Sequence, residues 1–356
     1  EGFGRDDFLT SNPWDAMAEI HCIINPASRD YRCGKKWPEI QELLITAGFS
    51  VHPHMTERVG HAAQIAWDLR QQGVKDLIVA VGGDGTSHEV ASALRGSEIP
   101  MGIIPFGSGN DYAITHGIPR NDLESAVQIL RDGKDRWCAA WRLEGYPAEA
   151  TTGYPSPKSN QWDGPSEHEN RVVRWVFLES DSGITSAISR AKLKRAKWIK
   201  GQSKYTYLGV TTIPFWPRRK LELKFDDEDA FQCNLTMLAA TTGETFGGGY
   251  KVSPGVNPSD ENGTVIIAPK LSRLQMLKLM GPVKKGKHIG KWGIYAKTVN
   301  KIQIRPVNQD GEPVDEPIGV PTWVQADGEP CIMAPAVLEW KTKQILVRGA
   351  QSVPWD

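Results

Sequence analysis

Asp76-Leu77-Ile78-Val79-Ala80-Val81-Gly82-Gly83-Asp84-Gly85-Thr86 is the stretch on which the reading of this chain turns. A short apolar run that ends in glycines is a strand buried on both faces. A helical pattern starts at about Ser87. Between the two, Gly82, Gly83 and Gly85 let the backbone approach an anion without Cβ clashes and reach positive φ. The helix that follows offers free N–H groups and the positive end of its dipole. Asp84 is the chemically active residue of the loop: a carboxylate there can hold a metal, directly or through water, or take a proton from an alcohol.

The same alternation continues on both sides. Apolar runs at 19–24, 50–54 and 101–105 read as strands, and 37–47, 60–72 and 87–94 have helical spacing. Strand, loop and helix repeated in this way predict an α/β fold with a doubly wound parallel sheet over residues 1–135, in which ligands bind at the carboxyl ends of the strands. After about residue 135 the pattern changes. Runs at 137–143, 171–178, 220–225, 232–239, 264–268, 298–305, 322–325 and 344–347 read as strands with few helices between them. Residues 136–356 are therefore expected to form an antiparallel β-sandwich or open barrel. Residues 144–170, rich in Gly, Pro, Ser, Thr and Asn without apolar periodicity, read as a flexible surface insertion.

Two further loops follow strand ends. Pro105-Phe106-Gly107-Ser108-Gly109-Asn110-Asp111 repeats the pattern of glycines before a polar pair. Asp111 is placed to join Asp84 around a magnesium ion, and Asn110 to bind phosphate or order the loop. Asn25-Pro26-Ala27-Ser28-Arg29 closes the first strand and reads either as a turn and helix cap or as a nucleotide contact. No GxxxxGK[ST] occurs, which excludes a P-loop, and no GxGxxG follows the first strand.

The totals narrow the class. Lys+Arg and Asp+Glu are both 42, so net charge points to no nucleic-acid partner and any electrostatic partner must be read from local clusters. Five cysteines without a CxxC pair read as free thiols of a reducing compartment, with no disulfide framework or zinc site. No apolar stretch is long enough to cross a membrane as a helix. Two basic runs stand out: residues 190–204 hold seven Lys or Arg and no acid, and 270–291 hold seven more among Leu and Met. Such mixtures suit anionic interfaces.

Together the loops resemble the diacylglycerol kinase catalytic-domain family, which includes sphingosine, ceramide and bacterial diacylglycerol kinases. Its members read NPxSG, then GGDGT with NEV or HEV, then a GTxND or GSGN loop. Here these are Asn25–Arg29, Gly82–Thr86 with His88-Glu89-Val90, and Gly107–Asp111. Thr56 matches a family threonine that contacts nucleotide, Phe246-Gly247-Gly248-Gly249 with Pro254 resembles a glycine-rich stretch of the second domain, and Asp327-Gly328-Glu329-Pro330 resembles the family's DGE motif. Arg29 departs from NPxSG, where the family has glycine, and Asn262 stands before Gly263 where bacterial members hold a structural magnesium with Asp. A second Asp-Gly-Glu-Pro at 310–313 lies among loop-forming residues and is set aside.

The resemblance implies an ATP- and Mg2+-dependent lipid kinase, cytoplasmic and peripheral to a membrane, with its active site in the cleft between the domains. The implied nucleotide site comprises Asn25, Pro26, Ser28, Thr56, Gly82, Gly83, Gly85, Thr86, Glu89, Gly107, Ser108, Gly109 and Asn110. The base and metal network would include Asp84, Asp327 and Glu329, with Asp111 on the metal; either Asp84 or the Asp327/Glu329 pair would be the base. Gly183 and Lys204 would meet the acceptor. The acceptor itself stays open between diacylglycerol and a sphingoid base. Sphingosine kinases grip the ammonium with an Asp where Ala187 stands here, unless Asp181 or Glu179 substitutes. Rival readings are an NAD kinase-like enzyme and a catalytically inactive lipid-binding protein.

Overall fold

The computed structural model describes residues 18–148, 161–195, 199, 202–217, 219–318 and 321–356. The first half alternates as the sequence predicts: β1 (Ala18–Ile24), α1 (Ser28–Thr46), β2 (Phe49–Met55), α2 (His61–Gln71), β3 (Leu77–Gly82), α3 (Asp84–Leu94) and β4 (Met101–Pro105). The strands form a parallel sheet in the order β2-β1-β3-β4. β3 is apolar throughout because both its faces are covered. Leu77, Val79 and Val81 join one core cluster with Trp37 and Ile40 of α1, and Ile78 and Ala80 join another with Ala62 of α2 and Val90 of α3. Helices thus lie on both faces, and the three glycine- or asparagine-led loops emerge side by side from the carboxyl ends of β1, β3 and β4.

The chain continues with α4 (Asp111–Thr115), α5 (Leu123–Asp132), β5 (Lys134–Pro147), β6 (Val172–Val176), β7 (Glu179–Gly183), α6 (Ile184–Lys194), α7 (Gln202–Thr212) and a 3-10 turn at Ile213–Phe215. It ends with β8 (Arg219–Phe225), β9 (Phe231–Leu235), β10 (Met237–Thr241), β11 (Gly263–Ala268), α8 (Arg273–Lys284), β12 (Tyr295–Val299), β13 (Lys301–Pro306), β14 (Trp323–Ala326) and β15 (Glu329–Gly349). The strands make the expected sandwich. One layer runs β12-β11-β10-β7-β14-β15 and the other β6-β5-β15-β13-β8-β9. Trp141, Phe225, Leu238, Ile302 and Leu338 are among the residues of the core between them.

Several expectations change. The run 232–239 is two strands, because the chain leaves β9 in one layer and enters β10 in the other at Thr236. The run 298–305 divides in the same way at Asn300, between β12 and β13. Strands that switch layers at a corner read as one run in sequence. The few helices expected after residue 135 are in fact three substantial ones, α6, α7 and α8. The apolar residues of α7 and α8 lack a clean helical period, and α8 carries Gly281 and Pro282, so the pattern hides these two. Residues 144–147, read as part of a loose insertion, continue β5 in register with β15. Asp163 is buried against Arg174 at 2.6 Å, and residues 149–160 of that reading lie outside the described residues.

β15 ties the domains together. One edge pairs with β5 along its length, and the other pairs in turn with β14, β13 and, at Val347↔Met101, parallel to β4. The tail then stays on the first domain, with Ala350 N–H donating to His116 O at 2.9 Å and Trp355 Nε1–H to Thr115 O at 2.8 Å.

Candidate active site in the domain cleft

The loops are packed on one another by glycine. A Cβ on Gly83 would stand 3.0 Å from Gly107 Cα, and Phe106 N–H donates to Gly82 O at 2.6 Å. Asn110, at φ 56°, closes its own loop: its Oδ1 accepts from Gly107 N–H at 2.7 Å and its Nδ2 donates to Gly107 O at 3.1 Å. Of the two roles read for Asn110, the geometry carries the loop-ordering one. Asn25 Nδ2 donates to Thr86 Oγ1 at 3.1 Å, joining the first and second loops. Gly85, in the first turn of α3, faces open space, which leaves the helix N-terminus accessible to an anion. Pro26 packs against Gly34, and Thr56 is buried with its N–H bonded to Ile24 O. Arg29, at the family's glycine position, holds the left-handed conformation at φ 52° that explains glycine there.

Two members of the expected nucleotide and metal sets are committed elsewhere. Glu89 accepts from Gly60 N–H at 2.9 Å and Ala62 N–H at 3.0 Å, so it caps α2. Asp111 accepts from Arg120 Nη2 at 2.5 Å and from Gly248 N–H at 2.7 Å. The Arg120 guanidinium and the Gly248 amide thus hold this carboxylate at the seam between the two domains. The Phe246–Gly249 stretch is glycine-rich for this reason: Gly249 sits at φ 99° and a Cβ there would stand 2.9 Å from Arg120 Nη1. Among the described residues no group of three His, Cys, Asp or Glu side chains converges as a metal site.

Asp84 is different. Its Oδ1 accepts from Tyr112 N–H at 3.0 Å, and its Oδ2 lies 2.7 Å from where Gly109 would carry a Cβ. Burial, then the nearby Asp111 charge, push its carboxyl up to about 6. That is the range of a general base poised near neutral pH.

Asp327 is fully occupied. Its Oδ1 accepts from Leu178 and Glu179 N–H at 2.9 Å each, and its Oδ2 from Phe177 N–H at 3.0 Å and His88 Nδ1 at 2.6 Å. Four donors leave no lone pair pointed at a substrate proton, so Asp327 here organises the cleft. His88 has Asp84 one turn before it on α3, and it reaches across the domains to Asp327. Burial opposes its charge, but the Asp327 hydrogen bond and the carboxylates of Asp327 and Glu329 raise it to about 9. Burial raises Glu329, partly offset by His88. The sequence placed His88 inside a motif without giving it a role.

Beside the Asp327–Glu329 turn opens a mainly apolar pocket. Ile184, Met237, Phe246, Leu271, Leu279 and Val283 are among its apolar walls, while Glu179, Lys192, Tyr205 and Gly328 mark its polar end. Lys192 Nζ is 3.7 Å from the Cβ position of Gly328. Lys204, expected at the acceptor, lies on α7 and is not among the lining residues; Lys192 takes that place. Gly183 caps α6 at φ 105°, where a Cβ would press on Thr236 O, so its role is to let β7 turn into α6. β7 is not among the predicted strands, yet Glu179, Ser180, Asp181 and Ser182 are all buried. Gln325 Nε2 donates to both Glu179 oxygens at 3.0 Å and also to Asp181 Oδ2, and burial raises both carboxyls.

A parallel-sheet domain with three anion-ready loops, facing a sandwich domain across a carboxylate-lined cleft, defines a two-domain kinase architecture. Residues 19–140 match the family described as diacylglycerol kinase catalytic domain, and residues 181–348 match the YegS C-terminal NAD kinase beta sandwich-like domain. The chain belongs to the diacylglycerol kinase catalytic-domain family. A diacylglycerol kinase of Bacillus subtilis is 24% identical over 303 residues, covering 83% of this chain and 90% of that protein. One from Mycobacterium tuberculosis is 25% identical over 214 residues, and the chain spans only 62% of its length. The crystal structure of a diacylglycerol kinase from Bacillus anthracis superposes with a TM-score of 0.65 at 15% identity, covering 95% of this chain and 98% of that one, which bears on the fold.

Proposed function

We propose that this protein transfers the γ-phosphoryl group of ATP to a hydroxyl of a lipid, with diacylglycerol as the first acceptor to test. The observation that carries this is the placement of Asp84, raised to about 6, in a cleft shared with an apolar cavity that ends at Gly328. Phosphoryl transfer asks the protein for positioning, charge neutralisation and a base. The α3 N-terminus and the loop amides would cradle phosphates, Asp84 would take the hydroxyl proton, and the cavity would hold an acyl chain. Asp327, saturated by four donors, fixes the turn that carries Glu329. Magnesium usually binds through one or two carboxylates plus substrate phosphates. Asp84 fits that part, and the ion would supply charge neutralisation on the phosphates.

A sphingoid base is the second reading, favoured by the Glu179 carboxyl that lines the polar end of the cavity. The deciding experiment supplies labelled ATP and Mg2+ with diacylglycerol, sphingosine, ceramide, monoacylglycerol and NAD. Transfer to a lipid that Asp84→Ala abolishes is the expected result. Transfer to NAD would replace this reading with the NAD kinase-like one. ATP never consumed with any lipid, despite lipid binding, would leave a lipid-binding protein.

A further inference from the structure

We infer that the outer face of α7, the Ile213–Phe215 turn and α8 docks on an anionic lipid bilayer and sets the cavity mouth against it. The inference rests on the lipid-acceptor reading of the cavity. α7 and α8 pack on each other: a Cβ on Gly209 would stand 2.9 Å from Met280 Cε. Their inner faces, through Tyr205, Gly209, Met276, Leu279 and Val283, line the cavity. Helical geometry then turns the opposite faces outward together.

Those outward faces set large apolar side chains among basic and small ones. Phe215 is 85% and Leu274 62% exposed, with Tyr207 and Val210 also exposed on α7. On α8, Leu274, Lys278, Gly281 and Lys285 follow one another at helical spacing and form one exposed stripe. The charge is as lopsided as the hydrophobicity. The chain as a whole has net charge +0, yet residues 270–291, which supply α8 and the turns that flank it, contain seven Lys or Arg, all exposed, and not one Asp or Glu. Negative surface potential attracts each such residue, and exposed aromatic and aliphatic side chains insert at the headgroup boundary. A nucleic acid would answer the charge but not the exposed Phe215 and Leu274 beside an apolar pocket. A bilayer answers both, and it is where an acyl-chain acceptor resides.

The test needs no catalysis, so its failure is distinct from failure of the kinase reading. Co-sedimentation, without ATP, compares vesicles of phosphatidylcholine alone with vesicles containing about one-third phosphatidylglycerol, at low and high salt. The wild-type chain is expected to sediment with the anionic vesicles and to be released by salt. Two surface variants, F215S/L274S and K284E/K285E, should each weaken that binding by about tenfold or more while keeping the wild-type Tm and circular dichroism. Should one variant misfold, the other decides. Wild-type protein that ignores anionic vesicles, folded variants that bind as wild type, or tighter binding to duplex RNA than to vesicles would each overturn the assignment.

Discussion

Asp84 carries a conflict between stability and chemistry. Its folded carboxyl titrates near 6 instead of 3.8, chiefly through burial, so the folded state binds the proton more tightly than the unfolded one. Its contribution is therefore lost as pH rises from about 4 through 6. Asp84→Asn should raise Tm above pH 7, because the amide oxygen keeps the Tyr112 N–H and no charge is buried. The same change should lower kcat by about three orders of magnitude with ATP affinity nearly intact. Differential scanning fluorimetry and single-turnover transfer read the two effects. In the wild type, the transfer rate should climb with pH through about 6 and then level, as expected of a base that must be ionised. His88 has the opposite stability sign. Its pKa is raised from 6.5 to about 9, so its pairing with Asp327 stabilises fully below 6.5 and fades as pH passes 9. His88→Ala should flatten the Tm–pH curve over that window and lower kcat about tenfold. His88→Asn, whose amide N–H can still reach Asp327, should recover most of the rate but not the pH dependence.

Elements show where sequence patterns speak and where they fall silent. β3 was legible because a strand covered on both faces must be apolar, and its glycines announced the loop that follows. Glu89 has a partner that no motif reports: its motif sits beside a phosphate loop, and its oxygens satisfy the first amides of α2, two elements away in sequence. Glu89→Ala should cost about 1 kcal/mol of stability, as loss of a helix cap does. It should leave the ATP KM within about twofold, a change too small to report a lost nucleotide contact. Urea denaturation and steady-state kinetics separate these outcomes. β7 was hidden for the converse reason. Its Glu, Ser and Asp obey no β propensity, and it is a strand only because β10 and β14 flank it and Gln325 receives its carboxyls. α7 and α8 escaped because they are apolar on the cavity side and again outside, which erases the one-sided period a helix ordinarily shows.

At the scale of the molecule, local motifs marked both halves of the cleft, but what closes it comes from distant pairs that no spacing rule reports. His88 with Asp327 and Asp111 with Gly248 each cross from the parallel-sheet domain to the sandwich, and β15 runs through both. A chain so stitched should unfold in one step. Tryptophan fluorescence and far-UV circular dichroism should give coincident urea transitions. The Arg120–Asp111 pair lies within the first domain and holds the carboxylate that receives Gly248 N–H from the second. Asp111 is 3% exposed and Arg120 32%, so removing the arginine leaves a buried carboxylate without its cationic partner. Burial already raises that carboxyl against the lowering by Arg120, and without Arg120 it should rise further. Arg120→Ala is accordingly expected to destabilise by about 2–4 kcal/mol at pH 7, toward the lower end because the guanidinium is partly solvated. The loss should shrink as pH falls and Asp111 takes a proton. Asp111→Asn in the Arg120→Ala background should restore part of the stability, since the amide still accepts from Gly248 N–H without a charge to bury. A double-mutant cycle read by urea denaturation at pH 5 and pH 8 measures the coupling. Additive losses at both pH values would show that Arg120 does not stabilise the Asp111 carboxylate.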